Sequence, residues 1–137
     1  MADTVEFELV APEELLFSEP VELVVVPGTE GDFGVLSGHS PLISTLRTGV
    51  IAVYENDAVN RRIFVSGGFA EVTPERCTVL ADEAVALEST NRRDVEGRVK
   101  VDREKLESAA DEDIANVAAV LAVSEALLLA LDTAGQA

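Results

Sequence analysis

Pro27–Leu42 reads PGTEGDFGVLSGHSPL, and how this stretch is read decides what kind of fold surrounds it. Gly28, Gly31, Gly34 and Gly38 recur every three or four residues, with Pro27 and Pro41 at the two ends. Glycine reaches positive φ without steric cost, and proline fixes φ and withholds a donor. A strand entering here must turn, and turn again, before the next begins, so these glycines are read as structural turns. Phe33, Val35, Leu36 and Leu42 are spaced to pin the stretch onto a core. Long structured loops on a β scaffold tend to carry function, so the working surface of the N-terminal part is expected here. The spacing G-x-x-G-x-x-G invites a phosphate-loop reading. However, no Gly-Lys-Ser or Gly-Lys-Thr occurs, no helix pattern follows, and Glu30 and Asp32 would repel phosphate. The two carboxylates form either a solvated acidic turn or a negative tip offered to a basic or polar partner.

Upstream, Val5, Phe7 and Leu9 alternate with Thr4, Glu6 and Glu8, the period of a half-buried strand that Pro12 breaks. Leu15 to Phe17 and Val21 to Val26 give two more strands. The consecutive Val24, Val25 and Val26 predict cover on both faces. Downstream, Pro41 to Leu46 is a short strand, and Thr48-Gly49 turns the chain into Val50 to Glu55. Asn56-Asp57 is a turn signal, followed by Arg61 to Ser66. Gly67-Gly68 predicts a bulge or tight corner before Phe69 to Thr73. Pro74-Glu75 connects to Arg76 to Ala81. About ten short strands with turns at this spacing predict an all-β sandwich or barrel.

The alternation stops at Leu87 to Asn91, which sets the domain boundary: residues 1–87 form the β domain and 88–137 a helical one. Ser89, Thr90 or Asn91 can cap a helix over about Arg92 to Leu106. Gly97 weakens that helix by about 1 kcal/mol relative to alanine. Asp111 can cap a second helix, whose apolar stripe runs Ile114, Val117, Leu121, Leu128 and Leu131, with Ser124 interrupting and Val120, Val123 and Leu127 widening it. Each such side chain contributes about 1.5–3 kcal/mol when fully buried, so the two helices are expected to pack as an antiparallel hairpin. A transmembrane reading of Ile114 to Leu131 fails on Asn116, Ser124 and Glu125 and on the lack of flanking basic anchors.

The chain has 137 residues and a formal net charge of −16, with 26 acids against 10 Lys and Arg. Residues 1–87 carry 15 acids and 4 bases, and no Lys or Arg follows Lys105. Such a chain is a poor partner for nucleic acid or anionic lipid. MADTVEFELV lacks the basic-then-apolar layout of a signal peptide. Cys77 is the only cysteine and alternates with Val79 and Ala81, as a small buried hydrophobe does. His39 is the only histidine, and it has no evident nucleophile or acid beside it. No catalytic cluster and no His/Cys metal set is offered.

Three segments match one family in residues, order and separation: VAPEELLFSEPVELVVVPG (Val10–Gly28), the glycine-rich stretch itself, and VSGGFAEVTPERCTVLADEA (Val65–Ala84). The chain resembles the epsilon subunit of bacterial F-type ATP synthase, closely over residues 4–87 and by length and helical character beyond. Ser37 departs from the family's usual proline and leaves the glycines intact. The resemblance implies an N-terminal β-sandwich, a C-terminal two-helix hairpin, no catalytic role and no cofactor. It implies a rotor subunit at the foot of the gamma shaft, on the ring of membrane c subunits, at the cytoplasmic face of the bacterial inner membrane. There it links gamma to the ring and couples proton flow to ATP synthesis, without itself inserting into the membrane. It sets Glu30 and Asp32 against the c-ring, and His39 and Ser66 against gamma.

In that family the hairpin can extend among the alpha and beta catalytic subunits and block ATP hydrolysis. The ATP-binding pattern Ile/Leu-Asp-x-x-Arg-Ala is replaced here by Thr90-Asn91-Arg92-Arg93-Asp94-Val95, and helix two has no base. The expectation is a hairpin that stays folded and inhibits weakly or not at all. The alternative left open by the residues is a stand-alone β-sandwich that binds protein partners.

Overall fold

The computed structural model describes residues 3–12 and 14–135. It divides into two compact units, the first reaching Glu88 and the second starting at Ser89.

Among the described residues the first unit holds eight strands: β1 (Val5–Ala11), β2 (Glu14–Val21), β3 (Leu23–Gly28), β4 (Gly31–Val35), β5 (Leu42–Glu55), β6 (Ala58–Val72), β7 (Arg76–Ala81) and β8 (Ala84–Ala86). They hydrogen-bond in the order β2-β1-β7-β6-β5-β3-β4, with β8 on β6. Only β1 and β7 run parallel. The sheet doubles over into a sandwich because β5 and β6 serve both layers. Residues 42–46 pair with 68–72, beside β7, β1 and β2. Residues 48–55 pair with 58–66, beside β3, β4 and β8. Counting each half once gives ten short segments, eight of which the sequence names, with β4 and β8 missed. Thr48-Gly49 is not a turn but lies inside β5, where a side chain at Gly49 would come within 2.9 Å of Pro27 Cβ.

Inward positions alternate as period-2 patterning demands. Val5, Phe7, Leu9, Cys77, Val79 and Ala70 share one core with Val24, Val26, Ile51 and Val53. Val25 points outward and is half-buried, so β3 is covered fully on one face only. Pro20 sits in β2 at the end of the sheet order, where a missing donor costs no ladder bond. Asn56 and Asp57 both have positive φ, 54° and 63°, the requirement of a two-residue type I′ hairpin turn.

Gly68 is the corner the sequence expects. Its φ is +120°, and a Cβ there would lie 2.0 Å from the Leu80 carbonyl oxygen. Only glycine lets β7 approach β6 this closely.

The second unit holds α1 (Arg92–Glu107) and α2 (Ile114–Gly135), packed against each other. Asn91 caps α1, its side chain accepting from the Arg93 amide at 2.8 Å. Asp111 does not cap α2. It opens a 3₁₀ turn, Asp111–Asp113, closed by the Asp113 amide on the Ala110 carbonyl at 2.8 Å. The seam is Val95, Val99 and Asp102 against Leu121, Ser124 and Leu127. Ser124 therefore does not interrupt the stripe. It is fully buried, with its hydroxyl donating to the Leu121 carbonyl at 3.1 Å. Ile114 and Val120 are exposed instead. By length and composition Asp111–Ala134 could cross a bilayer, with a mean hydropathy of 2.2 and 17% of the stretch buried. Most of that hydropathy comes from Ile, Val and Leu, of which Ile114, Val120 and Leu129 are exposed.

Candidate functional site

The glycine-rich stretch is a hairpin rather than a loop. β4 returns along β3 with Val24 opposite Val35, Val26 opposite Phe33 and Gly28 opposite Gly31, leaving Thr29 and Glu30 as the turn. Gly31 has φ +134°, and a Cβ on Gly28 would meet the Gly31 carbonyl oxygen at 2.8 Å. Gly34 is not a turn residue but lies within β4, opposite Val25. Gly38 has φ +84° and forms the second turn, with its amide on the Pro74 carbonyl at 2.7 Å. Val35 is fully buried and Phe33 packs on the core. Leu36 and Leu42 do not anchor the stretch, because they are 57% and 39% exposed.

The tip is tied down at its base from β5. The Thr29 amide donates to the Thr45 carbonyl at 3.0 Å, and the two threonine hydroxyls are 2.9 Å apart. Arg47 donates to the Gly28 carbonyl at 2.6 Å and pairs with the Asp32 carboxylate. Glu30 is exposed at the apex and has no ion-pair partner among the described residues. Sequence reasoning read Glu30 and Asp32 as equivalent and missed Arg47. The available signal was that Arg47 is the only base before Arg61.

His39 is half-buried beside this hairpin, with Nδ1 2.7 Å from the Ser40 carbonyl oxygen and its amide on the Leu36 carbonyl at 3.2 Å. Ser66 is opposite Thr48, its amide donating to the Glu83 carbonyl at 3.1 Å. The two do not meet, because Ser66 lies six ladder positions from the Leu42 end of β5. Gly67, with φ +116°, accepts the Asp82 amide at 3.1 Å and, together with Gly68, forms the corner below Ser66.

A second surface lies on the outer face of the β1-β2-β7 layer. Leu15, Val10, Leu80 and Phe69 are successive cross-strand neighbours. Phe69 and Leu80 are 44% and 38% exposed, and Ile43 nearby on β5 is 71% exposed. A groove of about 340 Å³ runs beside the row, lined by Val10, Pro12, Phe69, Leu80 and Asp82. Apolar residues at outward positions of a sheet mark a surface that a partner covers. The alternation of strands β6 and β7 contained this signal, since Phe69 and Leu80 fall on the polar phase.

Burial pushes the Cys77 thiol up to about 12, far from a reactive thiolate. Among the described residues no group of three or more His, Cys, Asp or Glu could hold a metal ion. In the hairpin unit, Arg92 donates to both Asp132 oxygens, at 2.7 and 3.2 Å, and pairs with Glu96. That hydrogen bonding holds the Asp132 carboxyl below its ordinary range and raises the Arg92 guanidinium. Arg103 reaches Glu125 at 3.5 Å.

Comparison with known proteins supplies the remaining constraint. Residues 4–87 match the family model described as ATP synthase, Delta/Epsilon chain, beta-sandwich domain. The ATP synthase epsilon chain of Rhodospirillum rubrum is 57% identical over 131 residues, covering 95% of this chain and 98% of that one. That of Paramagnetospirillum magneticum is 46% identical over 132 residues, covering 96% and 99%. A chain in the Euglena gracilis mitochondrial ATP synthase OSCP/F1/c-ring structure superposes with a TM-score of 0.76 at 27% identity, covering 93% of this chain and 81% of that one.

Proposed function

We propose a function from one premise: this chain belongs to the epsilon-chain family of ATP synthase. It is a non-catalytic, central-stalk subunit, and its association with the membrane comes through the complex. In our reading it fastens the gamma shaft to the c-ring, so that proton-driven rotation reaches the catalytic head. The observation that carries this reading is the Thr29-Glu30 tip, an exposed carboxylate held on a rigid β scaffold by four contacts from β5. Glu30, with Asp32 beside it, meets polar loops of the ring, where charge complementarity sets register more than affinity. Gamma contacts His39 and Ser66 and, separately, covers the apolar row of Phe69 and Leu80. Burying that row supplies the affinity that the polar tip does not.

The hairpin of residues 88–137 is not needed for this linkage. Arg92–Asp132 and Arg103–Glu125 hold α2 on α1, and α2 brings no base to acidic surfaces on the alpha and beta subunits. It therefore remains folded and is a weak inhibitor of ATP hydrolysis or none. The chain works at the cytoplasmic face of the bacterial inner membrane, held by the ring rather than by insertion of α2, and with a charge of −16 it binds no nucleic acid.

Purification through tagged gamma tests the linkage. The chain is expected at one-to-one stoichiometry with gamma, and Phe69→Asp is expected to abolish recovery. Failure of the wild-type chain to co-purify would favour the stand-alone binding module.

A further inference from the structure

We propose that gamma meets the outer face of the β1-β2-β7 layer with an amphipathic helix. Its apolar stripe follows the Phe69-Leu80 row, and its basic flanks reach Glu71 on one side of the row and Asp82 on the other. This rests on the reading that gamma covers that row. The row runs across the strands, from Phe69 through Leu80 and Val10 to Leu15. Phe69, Leu80 and Leu15 are exposed at these outward positions. Neighbouring strands lie about 4.8 Å apart, so the three steps of the row span roughly 14 Å. A helix laid along it advances about 5.4 Å per turn, so side chains one turn apart fall close to successive strands, and about ten residues cover the row. A strand laid the same way sends side chains of one face about 6.8 Å apart, out of step with the row. The groove beside the row is open where Gly68 has no side chain, and it takes a large apolar side chain from the stripe.

The charge beside the row selects the partner. Glu71 stands two residues after Phe69 on β6, and Asp82 two residues after Leu80, just past the end of β7. Phe69 faces Leu80 across an antiparallel pair, so the two carboxylates fall on opposite sides of the row. Asp82 continues the ladder, its amide on the Gly67 carbonyl at 3.1 Å. Glu8 and Arg47 also border the row, but Glu8 pairs with Arg76 at 2.7 Å and Arg47 pairs with Asp32. Glu71 and Asp82 are exposed and make no ion pair among the described residues. A stripe of Leu, Ile or Phe edged on both sides by Lys or Arg satisfies the row and both carboxylates. An acidic or wholly apolar helix would desolvate them without a partner.

The test measures binding of the full chain to tagged gamma at several salt concentrations. Glu71→Gln and Asp82→Asn are each expected to weaken binding about two- to fivefold near physiological salt, and together to flatten its salt dependence. Phe69→Ala is expected to weaken binding more, with the salt dependence of the wild type. Salt dependence separates a charge contact from a folding defect, because misfolding lowers the amount of active chain without changing the slope. Asp82→Glu keeps the charge and should keep the slope. A photoreactive group attached to Glu71→Cys or to Asp82→Cys should label one and the same gamma helix, on its two edges; Cys77 is buried and does not compete for the reagent. A wild-type salt dependence in the Glu71→Gln/Asp82→Asn double variant, or labels on two separate gamma segments, would overturn the proposal while the gamma reading stands. If the wild-type chain does not bind gamma at all, that reading falls and the proposal with it.

Discussion

In the sandwich, Val5, Phe7, Val24, Val26, Ile51 and Val53 are wholly shielded from water. In the hairpin, Val95, Val99, Leu121 and Leu127 approach that state but share their seam with Asp102 and Ser124. The Asp102 Oδ2 atom is buried without a hydrogen-bond partner, and Arg98 Nε stands 4.0 Å away. Such an atom costs free energy that a sandwich position does not. The sandwich is thus a continuous apolar core closed by long-range ladders, and the hairpin is two helices on a narrow seam assisted by ion pairs at the surface. Under the proposed function, only the first suits a part that passes on torque without yielding. A thin seam suits a segment whose docking matters less, which agrees with the proposed division of labour.

The comparison can be broken most severely at Gly68. Gly68→Ala should cost the sandwich at least about 3 kcal/mol, since the new Cβ overlaps the Leu80 carbonyl at positive φ. Urea unfolding followed through the aromatic near-ultraviolet signal would read this, and a loss under about 1 kcal/mol would mean β7 can move away. Next in size is the hairpin seam. Leu127→Ala should cost the second unit about 2–3 kcal/mol while amide exchange in the sandwich is unchanged. Loss of protection in both units together would refute their independence.

Gly97→Ala should sharpen the contrast in the other direction. A Cβ at Gly97 meets nothing within 4 Å, so α1 should gain about 0.5–1 kcal/mol, seen as greater helical signal at high temperature. The smallest effect is electrostatic. Asp132 has its carboxyl lowered from 3.8 in the folded state by Arg92, so its contribution is present above that value and is lost as pH falls through the folded one. Exchange near the end of α2 should rise over that acidic range, and Asp132→Asn should show the faster exchange already at neutral pH. Because the pair is exposed, added salt should shrink the difference.

Much of this architecture was legible in the sequence, and the gaps have physical causes. Val5, Phe7 and Leu9 announce β1 through alternation alone, and Ser89, Thr90 and Asn91 announce a helix start, of which Asn91 provides the cap. β4 was hidden because Gly31 and Gly34 have no β preference, and pairing with β3 overrides local propensity. Thr48-Gly49 looks like a turn in isolation, yet β5 continues because Pro27 packs where a side chain would be. Ser124 looked like an interruption since its polarity is visible in sequence, while the carbonyl that satisfies it is a feature of the helix. At the site, the acidic tip could be read directly. The Arg47 brace could not, because a contact spanning 15 to 19 residues depends on strand register.

The central claim is that the sandwich alone carries the linkage between shaft and ring. The direct test compares ATP hydrolysis and ATP-driven proton pumping in membranes bearing the synthase with the full chain or with a chain ended at Glu88. The account predicts that both activities are nearly unchanged by the truncation. A several-fold rise in hydrolysis, or hydrolysis that no longer drives pumping, would contradict it.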